Sequence, residues 1–210
     1  DFNTAIGQSS GSETTTADAN TSVGQESLRT NTTGANNTAV GVEALYTNNA
    51  SDNAAVGYQA LKANTSGTGN AAVGALAMTT NTTASNNTAL GYAAMKLNTT
   101  GTRNVAVGRT AMHTNTTGND NAALGYLALY TNSTGAENTA VGSDALKLNT
   151  EGDENTAVGR SALAANTTGE YNAAFGKYAL TANTTGNHNV AIGRNTMLST
   201  TTGVRNIAIG

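Results

Sequence analysis

The sequence predicts an all-β chain, a parallel β-solenoid or β-roll of about 12 rungs built on a 17-residue repeat. Three observations carry that prediction. An apolar residue followed by glycine recurs at Gly7, Gly24, Gly41, Gly57, Gly74, Gly91, Gly108, Gly125, Gly142, Gly159, Gly176, Gly193 and Gly210, every 17 residues except for 16 between Gly41 and Gly57. Asn stands four residues before each of these glycines, from Asn3 to Asn206. Pro is absent, as a continuous backbone ladder requires. A fixed period of this kind is the signature of a repeat architecture, and 17 residues is shorter than a helical or leucine-rich unit.

Aligned on glycine, the unit reads N-(T/A)-A-(V/I/L)-G-x-x-A-(L/M)-x-x-N-T-T-G-x-x. The residue two before Gly is Ala in every copy but one, where it is Ser22, and the residue directly before Gly is Val, Ile or Leu except at Phe175. Leu or Met follows four residues after Gly except in the first copy, which has Gly11. That first copy, residues 1–19, has also lost the turn Asn and reads as a cap or junction. Residues 20–210 are the regular tandem repeats. The short copy, Asn48-Asn49-Ala50-Ser51-Asp52, is expected to lack its residue in the turn.

Taking the elements in order, N-T-A-V-G reads as a short strand ending in a bend at glycine, and A-L-x-x as a second strand. N-T-T-G is turn chemistry, with Gly free to take positive φ and Asn tolerant of left-handed backbone. One unit per coil stacks like positions. The two Asn columns should then hydrogen-bond up and down as amide ladders, in a rod roughly 58 Å long at about 4.8 Å per rung. Within each strand Ala and Val face opposite sides, as do Ala and Leu of the second segment. A strand apolar on both faces needs a second layer. The expected supplier is an identical chain, giving an intertwined or side-by-side parallel homotrimer, with end-to-end filament growth a further mode of self-association.

Composition narrows the function classes. Of 210 residues, 91 are Thr, Asn or Gly and only 31 are Leu, Ile, Val or Phe, too few for a conventional single-chain core. Yet the net charge is only −3, unlike the high charge expected of a disordered chain. No Cys is present, so there is no disulfide framework or thiolate metal site. With 10 basic against 13 acidic residues no nucleic-acid footprint is expected. No apolar run is long enough for a membrane helix, so no membrane insertion is expected.

Segments such as Asn37-Thr38-Ala39-Val40-Gly41 through Asn64-Thr65-Ser66-Gly67, and Asn155-Thr156-Ala157-Val158-Gly159 through Gly169, resemble the tandem repeats of phage tail-fibre-domain proteins. In that family such repeats often precede a C-terminal intramolecular chaperone domain, which these residues do not contain. The N-x-A-(V/I)-G core is also similar to the head repeats of trimeric autotransporter (YadA-like) adhesins, whose repeat is shorter and forms a trimeric parallel β-roll. The resemblance covers nearly the whole chain. It implies an elongated, trimeric, extracellular fibre, a virion appendage or cell-surface structure that presents a receptor-binding tip. A chain starting at Asp1 and stopping in mid-repeat is expected to be a piece of a longer fibre.

No catalytic residue, cofactor site or metal site is expected. His113 and His188 lie in variable columns of different repeats without a second ligand. Glu151-Gly152-Asp153-Glu154-Asn155 and Asn119-Asp120-Asn121 are oxygen-rich turns that match no calcium loop. Ser51-Asp52-Asn53 spells one β-lactamase element without its companions, so no enzyme is expected. A surface-binding stripe is expected from Tyr58, Tyr92, Arg109, Tyr126, Arg160, Lys177 and Arg194, which with Gln25 follow the repeat glycine. A parallel stripe, Tyr46, Lys62, Lys96, His113, Tyr130 and Lys147, follows Leu/Met. Such stripes suit a cell-surface glycan or receptor. Asn31, Asn64, Asn81, Asn98, Asn115, Asn132, Asn166 and Asn183 head N-x-S/T sequons, so glycosylation once per rung is an alternative, and ice binding through paired Thr a weaker one.

Overall fold

Every N-T-A-V-G segment forms a three-residue strand, because the β-branched Val and Thr fit a pleated half-buried surface and the next glycine bends the chain out of it. The computed structural model describes residues 2–210. Its strands are β1 (Thr4–Ile6), β2 (Thr21–Val23), β3 (Thr38–Val40), β4 (Ala54–Val56), β5 (Ala71–Val73), β6 (Thr88–Leu90) and β7 (Val105–Val107). They continue as β8 (Ala122–Leu124), β9 (Thr139–Val141), β10 (Thr156–Val158), β11 (Ala173–Phe175), β12 (Val190–Ile192) and β13 (Ile207–Ile209). They stack in chain order as a single parallel sheet. Each residue pairs with its repeat equivalent, as Ala106 with Ala123 and Val107 with Leu124. The atypical first repeat joins in the same register, Thr4 opposite Thr21. The short repeat keeps register too, Ala39 opposite Ala55, so its deletion is absorbed in the turn as expected.

The repeat glycine does two things that no other residue could. Its φ of 122–139° at the Gly7 to Gly193 positions lies where L side chains rarely go. A Cβ on Gly108 would also sit 2.5 Å from the Gly125 carbonyl oxygen of the next rung. Backbone stacks on backbone there, and only hydrogen fits between.

The A-L-x-x segment is not a second strand. It forms two successive turns: the Ala44 amide donates to the Gly41 carbonyl (3.3 Å), and the Asn48 amide to that of Leu45 (3.3 Å). Glu43 (φ 56°) and Leu45 (φ 51°) are left-handed, and the equivalent residues repeat this along the stack. Alternate amides then reach to opposite neighbours, Glu43 N–H to the Gln25 carbonyl of the preceding rung and Leu45 N–H to Ala60 of the following one. The left-handed kinks turn both Ala44 and Leu45 inward, where strand alternation would have opposed them; both are fully buried. They also explain a sequence restriction. The Leu/Met column never contains Val or Ile, since β-branching is penalised most in left-handed backbone.

From β3 to β11 the core of each rung is thus strand Ala, turn Ala, Leu or Met, and two Asn, all closed from solvent within one chain. The strand Asn column gives its side-chain amide to a carbonyl across the rung, as Asn104 Nδ2 to Gly118 O (2.8 Å), and accepts from the next Asn backbone, Asn121 N to Asn104 Oδ1 (2.9 Å). The turn Asn column is a side-chain ladder, with Asn98 Nδ2 donating to Asn81 Oδ1 (2.9 Å) and Asn115 Nδ2 to Asn98 Oδ1 (2.9 Å). Its second amide hydrogen goes to the turn carbonyl of its own rung, as Asn115 to Gly118. Both expected ladders are present. In the short repeat, Ala50 supplies the carbonyl that Gly, or in one rung Ala84, supplies elsewhere, which places the missing residue just before it.

The strand Val column faces the other way. Val40, Val56, Val73, Leu90, Leu124, Phe175 and Ile192 are 36–47% exposed on the outer face of the sheet. A second layer inside the sheet comes from the chain's own Ala and Leu; outside it, this single chain supplies none.

Candidate functional site

The residue after each repeat glycine emerges on the outside of the coil, next to the apolar ridge, because the glycine bend reverses the chain away from the core. Tyr58, Tyr92 and Tyr126 are 51%, 50% and 48% exposed, an even row two rungs apart. Ala75 stands between the first two and Arg109 between the last two. The Arg109 guanidinium lies 5.8 Å from the Tyr92 ring centre and 6.0 Å from that of Tyr126, a cation–π contact on either side. Further along, Arg160 and Lys177 lie 5.9 and 4.9 Å from the ring of Tyr178. Arg194 continues the column and is exposed. Among the described residues none of Arg109, Arg160, Lys177 or Arg194 is in an ion pair.

The stripe after Leu/Met is different, because Arg29, Lys62 and Lys147 are neutralised by carboxylates of the same chain while, among the described residues, Lys96 beside His113 is not. Arg29 pairs with Glu26 (3.0 Å), Lys62 with Glu43 (2.6 Å) and Lys147 with Asp144 (3.1 Å). Tyr46 lies between Arg29 and Lys62, 5.7 and 5.8 Å from them. The Lys62 ammonium, then the Gln59 amide, hold the Glu43 carboxyl below its ordinary pKa. His113 stacks on Tyr130 (5.2 Å) with its Nδ1 buried and unpartnered. Burial, then the charge of Lys96, pushes His113 below its ordinary pKa, so it is neutral at pH 7.

The other sequence candidates are placed as follows. All eight sequon asparagines are fully buried, and their Nδ2 atoms, where a glycan would attach, donate into the ladder or to the turn carbonyl. In the folded coil that nitrogen is not presented to a transferase. His188 stacks on Tyr171 (4.8 Å), far along the chain from His113. Asp120 is engaged in a two-point pair with Arg103 (2.6 and 2.7 Å), and Asp153 accepts the Ala136 amide (2.7 Å). Among the described residues no three His, Asp or Glu side chains converge on a metal-sized space. The first Thr of each pair spends its hydroxyl on the next rung, as Thr99 on the Thr116 carbonyl (3.0 Å), so the pairs do not present twin free ranks.

One feature of the first repeat escaped sequence reasoning. Gly11 keeps the left-handed backbone of the Leu column (φ 57°) but brings no side chain. An open cavity of about 270 Å³ remains, lined by Asn3, Ala5, Gly11, Ser22 and Leu28. Its rim is polar because Ser10 and Ser22 replace core alanines and hydrogen-bond each other (2.7 Å). The loss of the Ala-Leu pair in that copy was the signal.

No family model, curated protein or solved structure matches the chain.

Proposed function

We propose that the chain is a shaft segment of an extracellular fibre, of the phage tail-fibre or cell-surface adhesin kind, whose work is to extend and present a binding tip. The observation that carries this is the outer face of the sheet. Parallel sheets are ordinarily covered on both faces. Here one face holds the core while the other leaves a ridge of Val, Leu, Ile and Phe down its length. A ridge that long and that regular suits burial against identical ridges, and a parallel homotrimer places three of them around one axis. The resemblance of the N-x-A-(V/I)-G core to trimeric fibre repeats supports the same number. Nothing in this role calls for catalysis or a cofactor.

Light scattering on the purified chain tests the assembly. A mass near three times 21.0 kDa is expected; a monomer at micromolar concentration would overturn it. Val107→Lys with Leu124→Lys, both on the ridge, should release monomers that keep the β spectrum, since neither side chain belongs to the core. A second reading, recognition of glycan by the exposed Tyr/Lys/Arg stripe, is favoured by the even row of Tyr58, Tyr92 and Tyr126.

A further inference from the structure

The Tyr58, Tyr92 and Tyr126 row has no role in holding the coil together. Other rungs place Gln25, Ser143 or Lys177 at the same position and stack as well. A half-exposed tyrosine is a large apolar surface left in water, and three of them in line are an arrangement that folding does not explain.

Three features of the surroundings narrow what they would hold. The rungs are stacked in strict register, so the rings are spaced by two rung heights, roughly 9.6 Å at about 4.8 Å per rung. The neighbouring column is uncharged over these rungs, Gln59, Leu76, Ala93, Thr110 and Leu127, with Gln59 donating to Glu43, where the flanking rungs carry Glu26, Glu43 and Asp144. The one charge within the row is Arg109, held between the rings of Tyr92 and Tyr126 with no acid paired to it, a fixed fan of donors beside two aromatic surfaces.

A ligand matching this track is long, neutral, rich in hydroxyl acceptors and repeats an apolar face at twice the rung height. In an extended β-1,4-linked polysaccharide every second sugar turns the same way, and that two-sugar repeat is close to two rungs. The C–H face of each such pyranose packs on an aromatic ring, while its hydroxyls meet the guanidinium. We propose that Tyr58, Tyr92 and Tyr126, with Arg109, form a docking track for an extended neutral β-1,4-linked glycan lying along the rod. The proposal deepens the glycan-binding reading and commits it to a ligand class and to the five successive rungs from Tyr58 to Tyr126.

The test is retention on insoluble chitin and cellulose, followed by titration with chitohexaose and cellohexaose. The unmodified chain is expected to bind at least one of the two polymers. Tyr92→Ala, at the centre of the row, should weaken binding about tenfold. Tyr58→Ala, Tyr126→Ala and Arg109→Ala should each weaken it a few-fold, and Tyr46→Ala, in the charge-neutralised stripe, should leave it unchanged. The double variant Tyr58→Ala/Ala75→Tyr keeps three tyrosines but breaks their spacing. It should bind no better than Tyr58→Ala. These side chains lie outside the core, so circular dichroism should match the parent in every case. Absence of binding by the parent chain overturns the proposal, as does undiminished binding by Tyr92→Ala. So does a mass in light scattering that falls on removing the tyrosines, which would assign the row to a second copy of the chain. The binding results leave the shaft reading untouched, since that reading is decided by the trimer mass and the ridge variants.

Discussion

At the scale of the residue, left-handed backbone decides most of the sequence. Leu129 sits at φ 53° and is fully buried, whereas Leu124 sits in extended backbone on the outer ridge. Leu→Ile is close to volume-neutral at both sites, but Ile in left-handed backbone brings its branch against the following carbonyl. Leu129→Ile should therefore cost about 2 kcal/mol more than Leu124→Ile, read from urea midpoints. Titration adds a second expectation. His113 binds its proton less readily folded than unfolded, so acidification favours the unfolded chain. Stability should begin to fall as pH drops below the ordinary His value of 6.5, and His113→Gln should remove that loss. Glu43, depressed by Lys62, contributes stability that is complete above its ordinary value of 4.5 and lost as pH falls through its lower folded value. Loss between pH 6.5 and 4.5 that is unchanged in His113→Gln would contradict the first assignment.

At the scale of the element, the turn-Asn ladder is the device with the clearest end. Asn183 Oδ1 is buried without a partner because the next rung carries Thr200 where an Asn would donate. Thr200→Asn should supply that donor and add about 1 kcal/mol, seen as slower hydrogen exchange at Thr184 and Thr185. The reverse experiment is Asn115→Asp. Asn115 Nδ2 donates to Asn98 Oδ1 and Gly118 O, so a carboxylate there would face two acceptors in the core. The variant should be destabilised by about 3 kcal/mol at pH 7 and recover part of it on acidification, when the protonated acid can donate again. Both ladders were legible in the sequence, since an Asn at one phase in every copy, or in every copy but the terminal ones, has few structural reasons to be there. The glycine column was legible for the same reason. What could not be read was the path between Gly and the turn. A-L-x-x has the look of a strand, and only the alternating inward carbonyl and amide bonds of neighbouring rungs stabilise the left-handed kinks at Glu43 and Leu45. That path also decides that Leu joins the core while Val stays outside. The tyrosine row was visible as a list of residues, but its even spacing becomes a geometry only once the rungs are in register.

At the scale of the molecule, stability is one-dimensional. Each strand bonds only to the rungs before and after it, and β1 through β13 have no long-range return. Such a stack behaves as a sum of rung terms and neighbour terms. Removing one whole regular unit, for example residues 104–120, should leave the melting of the remaining coil within a few degrees of the parent, whereas a deletion of two residues from any strand should disrupt pairing on both sides. Circular dichroism melts of the two deletions distinguish these outcomes.

The repeat that is one residue short carries a consequence for how such a chain changes through time. Its strand still pairs in register because the omission fell in the turn, where Ala50 takes over the carbonyl duty of glycine. Gene slippage by a whole unit, or by a single codon in the turn, is therefore silent to the fold. Length becomes a heritable quantity set by copy number, each additional 17 codons lengthening the stack by about 4.8 Å while every rung still finds an equivalent neighbour on either side.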